Sequence, residues 1–138
     1  MKARVQAGTV LICCMEETAA RSELEKFFTA RRVSVRFAGK EHLGQRLDTL
    51  LGLPGSAHTP EEGDLAAAAP ALIFSSFSDR ALDRILDELN ESGLAHGILR
   101  AVTTPHNRSW TLAVLLRELS AEREAMQTSQ DKEAHAGD

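Results

Sequence analysis

Hydroxyl and amide side chains cluster in the sequence at the ends of two predicted strands, where they could do chemistry. Ser75 and Ser76 end one strand, and the segment Thr103–Ser109 follows the next one. Both segments lead into predicted helices, whose free N–H groups in the first turn can bind a small anion. The candidate ligand-binding residues are Ser76, Ser78, Thr103, Thr104, Asn107, Arg108, Ser109 and Trp110. If the two strands are neighbours, these side chains form one polar cluster.

The same residues also have structural roles, which the sequence favours over ligand binding. Ser78 and Ser109 stand where helix caps are expected, because a serine oxygen accepts a hydrogen bond from the first helical turn. Asn107 suits a turn in which its side chain bonds the backbone of its own loop. Trp110, at the predicted start of the last helix, suits a residue that closes one end of the core.

The other reactive side chains show no catalytic or metal-binding pattern, so we predict no catalytic residue, no metal and no cofactor. Cys13 and Cys14 are adjacent, and neighbours on a strand point to opposite faces, which disfavours a disulfide between them. The acids Glu16 and Glu17 follow and favour the protonated thiol over the reactive thiolate. The five histidines have no metal-ligand spacing. Neither a G-x-G-x-x-G segment nor a Walker-type loop occurs.

Composition places the chain among small globular proteins with one core. Of its 138 residues 43% are apolar, and with no Tyr and one Trp the core must be aliphatic. The net charge of −4 disfavours nucleic-acid binding, which needs a basic surface to neutralise phosphates. The longest apolar run, Val10–Met15, is too short to span a bilayer, and no secretory apolar stretch follows the N-terminus. We therefore expect a soluble cytoplasmic protein that binds neither nucleic acid nor membrane.

The first half of the chain predicts a strand–helix–strand–helix unit over residues 9–53. Thr9–Met15 is apolar at both alternating sets of positions, as in a strand covered on both faces. A helix opens at Glu16 and runs to about Arg32, and Val33–Gly39 then alternates like an edge strand. A short amphipathic helix that ends at Gly52 is indicated by Leu43, Leu47, Leu50 and Leu51.

The second half predicts a unit of the same order over residues 71–124, after a linker at 54–70. Ala71–Phe77 is again apolar on both faces, and a helix capped by Ser78 and Asp79 ends at Gly93. Ile98–Thr104 is the fourth strand, and a leucine-rich helix capped by Ser109 follows. Residues 1–126 then form a single domain, and the polar residues 127–138 a disordered tail.

These patterns predict an α/β fold with a four-stranded sheet in the order 2-1-3-4, built from two βαβα repeats. The first and third strands are apolar throughout and belong in the centre, and each crossover is right-handed. Strands covered on both faces favour a parallel or mostly parallel sheet. The alternative is an antiparallel central pair, with the two halves related by a pseudo-twofold axis. In the parallel arrangement Met15–Thr18, Ser75–Asp79 and Thr103–Ser109 share the edge where ligands bind.

The second half resembles a known family. A strand ending in V-T-x-x-x-N-x-x-W-x-L leads to a helix with L-L-x-E-L and a trailing E-R. The residues that carry this pattern are Thr103, Asn107, Trp110, Leu112, Leu115, Leu116, Leu119, Glu122 and Arg123. The segment Ala71–Glu124 is similar to the small bacterial proteins grouped as domain of unknown function 3783. That resemblance implies a fold but no chemistry. The first half matches this pattern only loosely and lacks the Asn and the Trp.

Two functions remain open at this point. The first is a non-enzymatic binding or regulatory module, which could form a homodimer through an edge strand or an exposed helix face. It follows from the absence of a general base beside a nucleophile in the strand-end loops. The alternative is a small-anion or metabolite-binding protein, or an enzyme, that uses Thr103–Ser109. A third reading, nucleic-acid binding through Arg31, Arg32 and Arg36, is disfavoured by the acidic balance.

Overall fold

Four strands form one mixed sheet in the order β2-β1-β3-β4 in a computed structural model that describes residues 7–15, 18–52 and 67–136. The strands are β1 (Gly8–Cys13), β2 (Val33–Ala38), β3 (Ala71–Ser75) and β4 (Leu99–Val102). The predicted α/β class and strand order are confirmed. β1 is parallel to β2 and β3 to β4, but β1 is antiparallel to β3. The preference for a parallel or mostly parallel sheet is therefore wrong. Strands apolar on both faces require cover on both faces, and a mixed sheet satisfies that requirement equally well.

Helices cover both faces of the sheet and form two separate hydrophobic layers. The helices are α1 (Ala19–Ala30), α2 (Leu47–Leu50), α3 (Asp79–Ser92) and α4 (Leu112–Ala136), with a 3₁₀ turn at Lys40–His42. α1 and α3 pack on one face, and α2 and α4 pack on the other. Within the described ranges, none of these helices is long and apolar enough to cross a membrane.

Aromatic rings hold α1 and α3 against the sheet. The Phe74 ring on β3 lies 5.9 Å from Phe28 on α1 and 5.9 Å from Phe77, with edge-to-face geometry at both contacts. A Cβ at Gly8 would lie 2.6 Å from the Phe77 ring, so glycine lets this ring rest against the start of β1. Few aromatic residues are present, but they are concentrated in this layer.

Leucines form the other layer, as the periodicity predicts. The predicted short helix is divided into the 3₁₀ turn Lys40–His42 and the single turn α2, and it ends at Gly52 with φ 69°. The buried leucines of this layer are Leu11, Leu43, Leu47, Leu50, Leu51, Leu99, Leu112, Leu115 and Leu116.

Reciprocal backbone hydrogen bonds join the segment before α2 to the segment before α4. The N–H of Leu47 donates to the carbonyl of Trp110, and the N–H of Leu112 donates to the carbonyl of Gln45, both at 2.9 Å. Between them Arg46 and Thr111 form an isolated antiparallel bridge. This exchange runs in the same antiparallel sense as the β1–β3 pair. The two halves therefore meet in the sheet, in the α1–α3 layer and through this exchange.

The helix ends confirm some of the predicted caps and correct others. Thr18 and Ser78 cap α1 and α3, and Gly93 follows α3 with φ 73°. Ser109 does not cap the last helix, because α4 begins at Leu112 and the hydroxyl of Thr111 accepts the N–H of Val114 at 3.3 Å. Glu16, Glu17 and most of the predicted linker lie outside the described residues.

Helix α4 continues to Ala136, whereas the sequence predicts a disordered tail from residue 127. The prediction rested on the absence of apolar residues that could be buried in this segment. Its glutamine, glutamate, lysine and alanine residues have high helix propensity, so backbone hydrogen bonds can propagate without burial.

Candidate functional site

The predicted hydroxyl cluster forms where β3 and β4 end side by side. The Thr103 hydroxyl donates to the Ser75 Oγ at 3.0 Å, and the Ser75 and Ser76 hydroxyls are 3.4 Å apart. The Thr103 N–H donates to the carbonyl of Phe74 at 2.9 Å. Ser75 is buried, whereas Ser76 is exposed and has a positive φ of 66°. Neighbouring parallel strands thus bring these three residues together, as the strand order predicts.

In the loop that follows β4, polar side chains form hydrogen bonds with the backbone of the same loop. The Asn107 Oδ1 accepts the N–H of Thr104 at 2.8 Å, and the Thr104 hydroxyl accepts the N–H of Asn107 at 3.1 Å. The Asn107 amide also donates to the carbonyl of Val102 at 3.2 Å. These bonds hold a tight turn, in agreement with the structural role that the residue types favour.

Ser109, Arg108 and Trp110 complete the loop. Trp110 is half-buried and packs against the leucine layer, and its ring lies 5.4 Å from the His106 ring. Ser109 is exposed, and the Arg108 N–H closes the turn on the Thr104 carbonyl at 3.1 Å. None of the four clefts with described linings includes a residue of Thr103–Ser109.

The carboxyl end of β1, which the predicted loop Met15–Thr18 follows, lies at the opposite end of the sheet from the other two predicted loops, because β1 is antiparallel to β3. A cleft of about 360 Å³ there is lined by Cys14, Lys40 and His42, among others. Burial raises the pKa of the Cys14 thiol, with weaker opposing effects from a backbone hydrogen bond and Lys40. The same cause raises the pKa of Cys13, so both free thiols are held in the unreactive protonated form.

A second cleft, which the sequence does not predict, lies between the end of α1 and the first turns of α3. It has a volume of about 520 Å³. Its lining consists of Ala7, Arg31, Ser78, Arg80, Ala81, Arg84, Ile85 and Glu88. Ser78 therefore lines this cleft, and no residue of Thr103–Ser109 does.

Three arginines give this cleft its charge, and two of them have no described partner. Arg31 is fixed, since its Nε donates to the Glu88 carboxylate at 2.8 Å and its guanidinium stacks 3.7 Å from the centre of the Phe27 ring. Arg80 and Arg84 are one helical turn apart, and neither forms a hydrogen bond or ion pair with a residue in the described ranges. Three cations against one carboxylate leave the lining with an excess of positive charge.

The arginine-lined cleft was detectable in part from the sequence. Arg80 and Arg84 have i, i+4 spacing, which places them on one side of the helix, beside the leucine stripe. Nothing in the local pattern places Arg31 opposite them, because Arg31 and Glu88 are 57 residues apart and meet only when α1 and α3 pack on the same face.

No group of three or more His, Cys, Asp or Glu side chains in the described ranges is close enough together to hold a metal ion. Comparison with known families matches residues 70–126 to the model of the family described as domain of unknown function 3783. The match confirms the resemblance of the second half and covers less than half of the chain. No curated protein and no solved structure matches the chain.

Proposed function

We propose that the protein is a non-enzymatic binding module that holds a small anion in the cleft lined by Arg31, Arg80 and Arg84. The observation that carries this proposal is the convergence of two guanidiniums without described partners, Arg80 and Arg84, on one cleft of about 520 Å³. This volume lies within the range of small-molecule sites. Guanidinium groups bind phosphate and carboxylate oxygens through paired N–H donors.

The first turn of α3 supports the same ligand chemistry. The Ser78 Oγ accepts the N–H of Ala81 at 3.2 Å, which leaves the serine hydroxyl proton free to donate to a ligand. The positive end of the helix dipole lies at this turn and favours an anion. Ala7, Ala81 and Ile85 supply apolar walls, so an anionic group with a small organic body fits the lining.

The lining lacks the arrangement that catalysis requires, which supports a binding role. Its carboxylate, Glu88, is engaged by Arg31 at 2.8 Å and is not hydrogen-bonded to the Ser78 hydroxyl. A nucleophile and a general base must lie within hydrogen-bond reach of each other. We therefore propose a receptor or regulator of small anions rather than an enzyme.

Replacing Arg84 by alanine should weaken anion binding by at least about tenfold, because one charge-assisted pair is lost. Isothermal titration with orthophosphate, pyrophosphate and citrate measures the affinity. For whichever of these anions binds, a concentration of about 100 times the dissociation constant should stabilise the fold by about 2.7 kcal/mol in thermal unfolding. Arg80→Ala should act in the same direction.

Arg108→Ala is the matched control, since this arginine lies in the alternative loop that follows β4 and does not line the arginine cleft. It should leave the affinity unchanged. Loss of binding in Arg108→Ala and Asn107→Ala, with wild-type affinity in Arg80→Ala and Arg84→Ala, would assign the ligand to Thr103–Ser109 and refute the arginine cleft.

We also propose that the two halves are copies of one βαβα unit, in which His42 stands in the place of Asn107. The His42 Nδ1 accepts the N–H of Gly39 at 2.9 Å, as the Asn107 Oδ1 accepts the N–H of Thr104 at 2.8 Å. Each residue lies five positions before the leucine whose N–H takes part in the reciprocal exchange between the halves. The arginine cleft belongs to α3, and α1 has alanine and leucine where the corresponding cap-relative positions of α3 have Arg80 and Arg84.

Substitution of His42 tests whether it and Asn107 have the same role in the two halves. His42→Asn should change the free energy of unfolding by less than about 0.5 kcal/mol, because the asparagine Oδ1 occupies nearly the position of the imidazole Nδ1. His42→Ala loses the hydrogen bond and should cost about 1 kcal/mol in urea unfolding. Equal destabilisation by both substitutions would mean that the two turns are not equivalent.

The free thiols of Cys13 and Cys14 support a reducing compartment, and we propose that the protein acts in the cytoplasm.

A further inference from the structure

The outer edge of β2 directs backbone groups away from the sheet. The carbonyls of Arg32 and Ala38 accept hydrogen bonds from the N–H groups of Ala7 and Cys14, at 3.0 and 2.8 Å. The backbone N–H and C=O groups of the even-numbered residues of β2 therefore point toward β1. In a strand the N–H and C=O of one residue point to the same side, and the side alternates along the chain. Val33, Val35 and Phe37 therefore direct both groups outward, where the described residues supply no further strand.

Positive charge predominates at this edge. Residues 31–41 contain four cations, Arg31, Arg32, Arg36 and Lys40, and one acid, Glu41, and Arg31 is paired with Glu88. Arg32, Arg36 and Lys40 are exposed. Edge strands with charged side chains resist pairing with their own kind, because a second copy would place like charges against each other. The charge that prevents self-pairing favours an acidic strand.

The two faces of β2 differ in a way that specifies the side chains of a partner strand. Phe37 is 40% exposed and has the Arg21 guanidinium 4.7 Å from its ring centre, and Val35 is half-buried on the same face. Arg36 lies on the opposite face, where its Nε donates to the Leu50 carbonyl at 2.7 Å. A strand added to this edge would place one set of side chains beside Val35 and Phe37 and the other set beside Arg36.

We propose that the β2 edge binds an extended acidic segment of a partner protein as an added strand. Its main chain pairs with Val33, Val35 and Phe37. Its apolar side chains pack beside Phe37, and its carboxylates lie beside Arg36. This surface is independent of the arginine cleft on α3, so either proposal can fail without the other.

An alternating glutamate–valine heptapeptide with a fluorescein label is the probe, measured by fluorescence anisotropy on the full chain at low salt. Arg36→Glu should weaken its binding at least about tenfold, because a like charge replaces the attraction. The same variant should gain affinity for the matching lysine–valine peptide. Arg100→Glu on the other edge strand is the control and should leave both affinities unchanged. An affinity for the acidic peptide that Arg36→Glu leaves unchanged, or no binding of that peptide to the wild-type chain, would overturn the proposal.

Backbone pairing is tested with a probe that is N-methylated at every residue. One alternate set of N–H groups must face the edge whichever direction the added strand runs, so this probe should lose binding. Binding of the methylated probe as tight as that of the parent peptide would show attraction without strand pairing and refute the proposal. A dimer in sedimentation that the peptide dissociates would assign the edge to a second copy. Tighter peptide binding after Glu61→Gln, Glu62→Gln and Asp64→Asn would assign it to the chain's own acids.

Discussion

Replacing Arg46 by alanine is expected to lower the free energy of unfolding by about 3 kcal/mol, because a buried carboxylate loses its cation. Asp48 is 2% exposed and receives two hydrogen bonds from Arg46, from Nε at 3.1 Å and from Nη2 at 2.6 Å. The substitution leaves the carboxylate buried, with the Thr49 N–H at 2.8 Å as its remaining described donor. Urea unfolding followed by circular dichroism measures the loss.

Asp48→Asn should lower the free energy of unfolding less than Arg46→Ala does. Combined with Arg46→Ala, it should restore part of the stability that Arg46→Ala loses. The Arg46 side chain is 32% exposed, so it can turn to water when Asp48 is replaced by asparagine. We expect the order of stability to be wild type, Asp48→Asn, the double variant and then Arg46→Ala. A double variant that is less stable than Arg46→Ala would show that the buried charge is not the cause. The ion pair lies beside the exchange between Leu47 and Trp110, so it stabilises the junction of the two halves.

Replacing Phe74 by alanine is expected to cost about 3–5 kcal/mol, as large-to-small changes of buried aromatic residues do. Phe74 is fully buried on β3, with its ring 5.9 Å from those of Phe28 and Phe77. The change leaves a cavity between the sheet and the α1–α3 layer, which also carries Arg31 and Arg84. Thermal and urea unfolding should both report it.

Phe37→Ala is the control for this prediction, because Phe37 is 40% exposed and has the Arg21 guanidinium 4.7 Å from its ring centre. Its cost should stay below about 1 kcal/mol. Phe74→Leu should fall between the two, since leucine fills most of the cavity. If Phe74→Ala cost no more than Phe37→Ala, the α1–α3 layer would not be packed as described.

Much of the fold could be predicted from short-range patterns. β1 and β3 are apolar on both faces, whereas β2 alternates and carries Arg36, and these features are sufficient to place the central and edge strands. Ser78 and Gly93 mark the ends of α3 because each satisfies or terminates backbone groups locally. The start of α4 was mispredicted at Ser109, since Ser109 and Thr111 are both competent caps and the exchange with Gln45 selects Thr111.

In the candidate sites too, contacts that depend on local patterns could be predicted, and contacts between residues distant in sequence could not. Thr103 and Ser75 meet as predicted, because neighbouring strands that end at one edge must place their last residues together. The self-bonded turn of Thr104 and Asn107 is a local structure that the residue types favour. The arginine cleft depends on Arg31, whose neighbours on α3 are distant in sequence.

The sequence alone determined the four strands, their order, the leucine positions that are buried, and the resemblance of the second half to a family. Each of these depends on the period of a strand or helix, which a short segment carries by itself. Only the tertiary structure decided the antiparallel pairing of β1 with β3, the place of Ser78 in the lining of the arginine cleft, and the meeting of Arg31 with Arg84. The reason is that apolar cover on both faces of a strand is independent of its direction. The antiparallel direction of β1 relative to β3 occurs together with long-range contacts such as the backbone hydrogen bonds of Leu47 with Trp110 and of Leu112 with Gln45. These contacts join residues more than sixty positions apart.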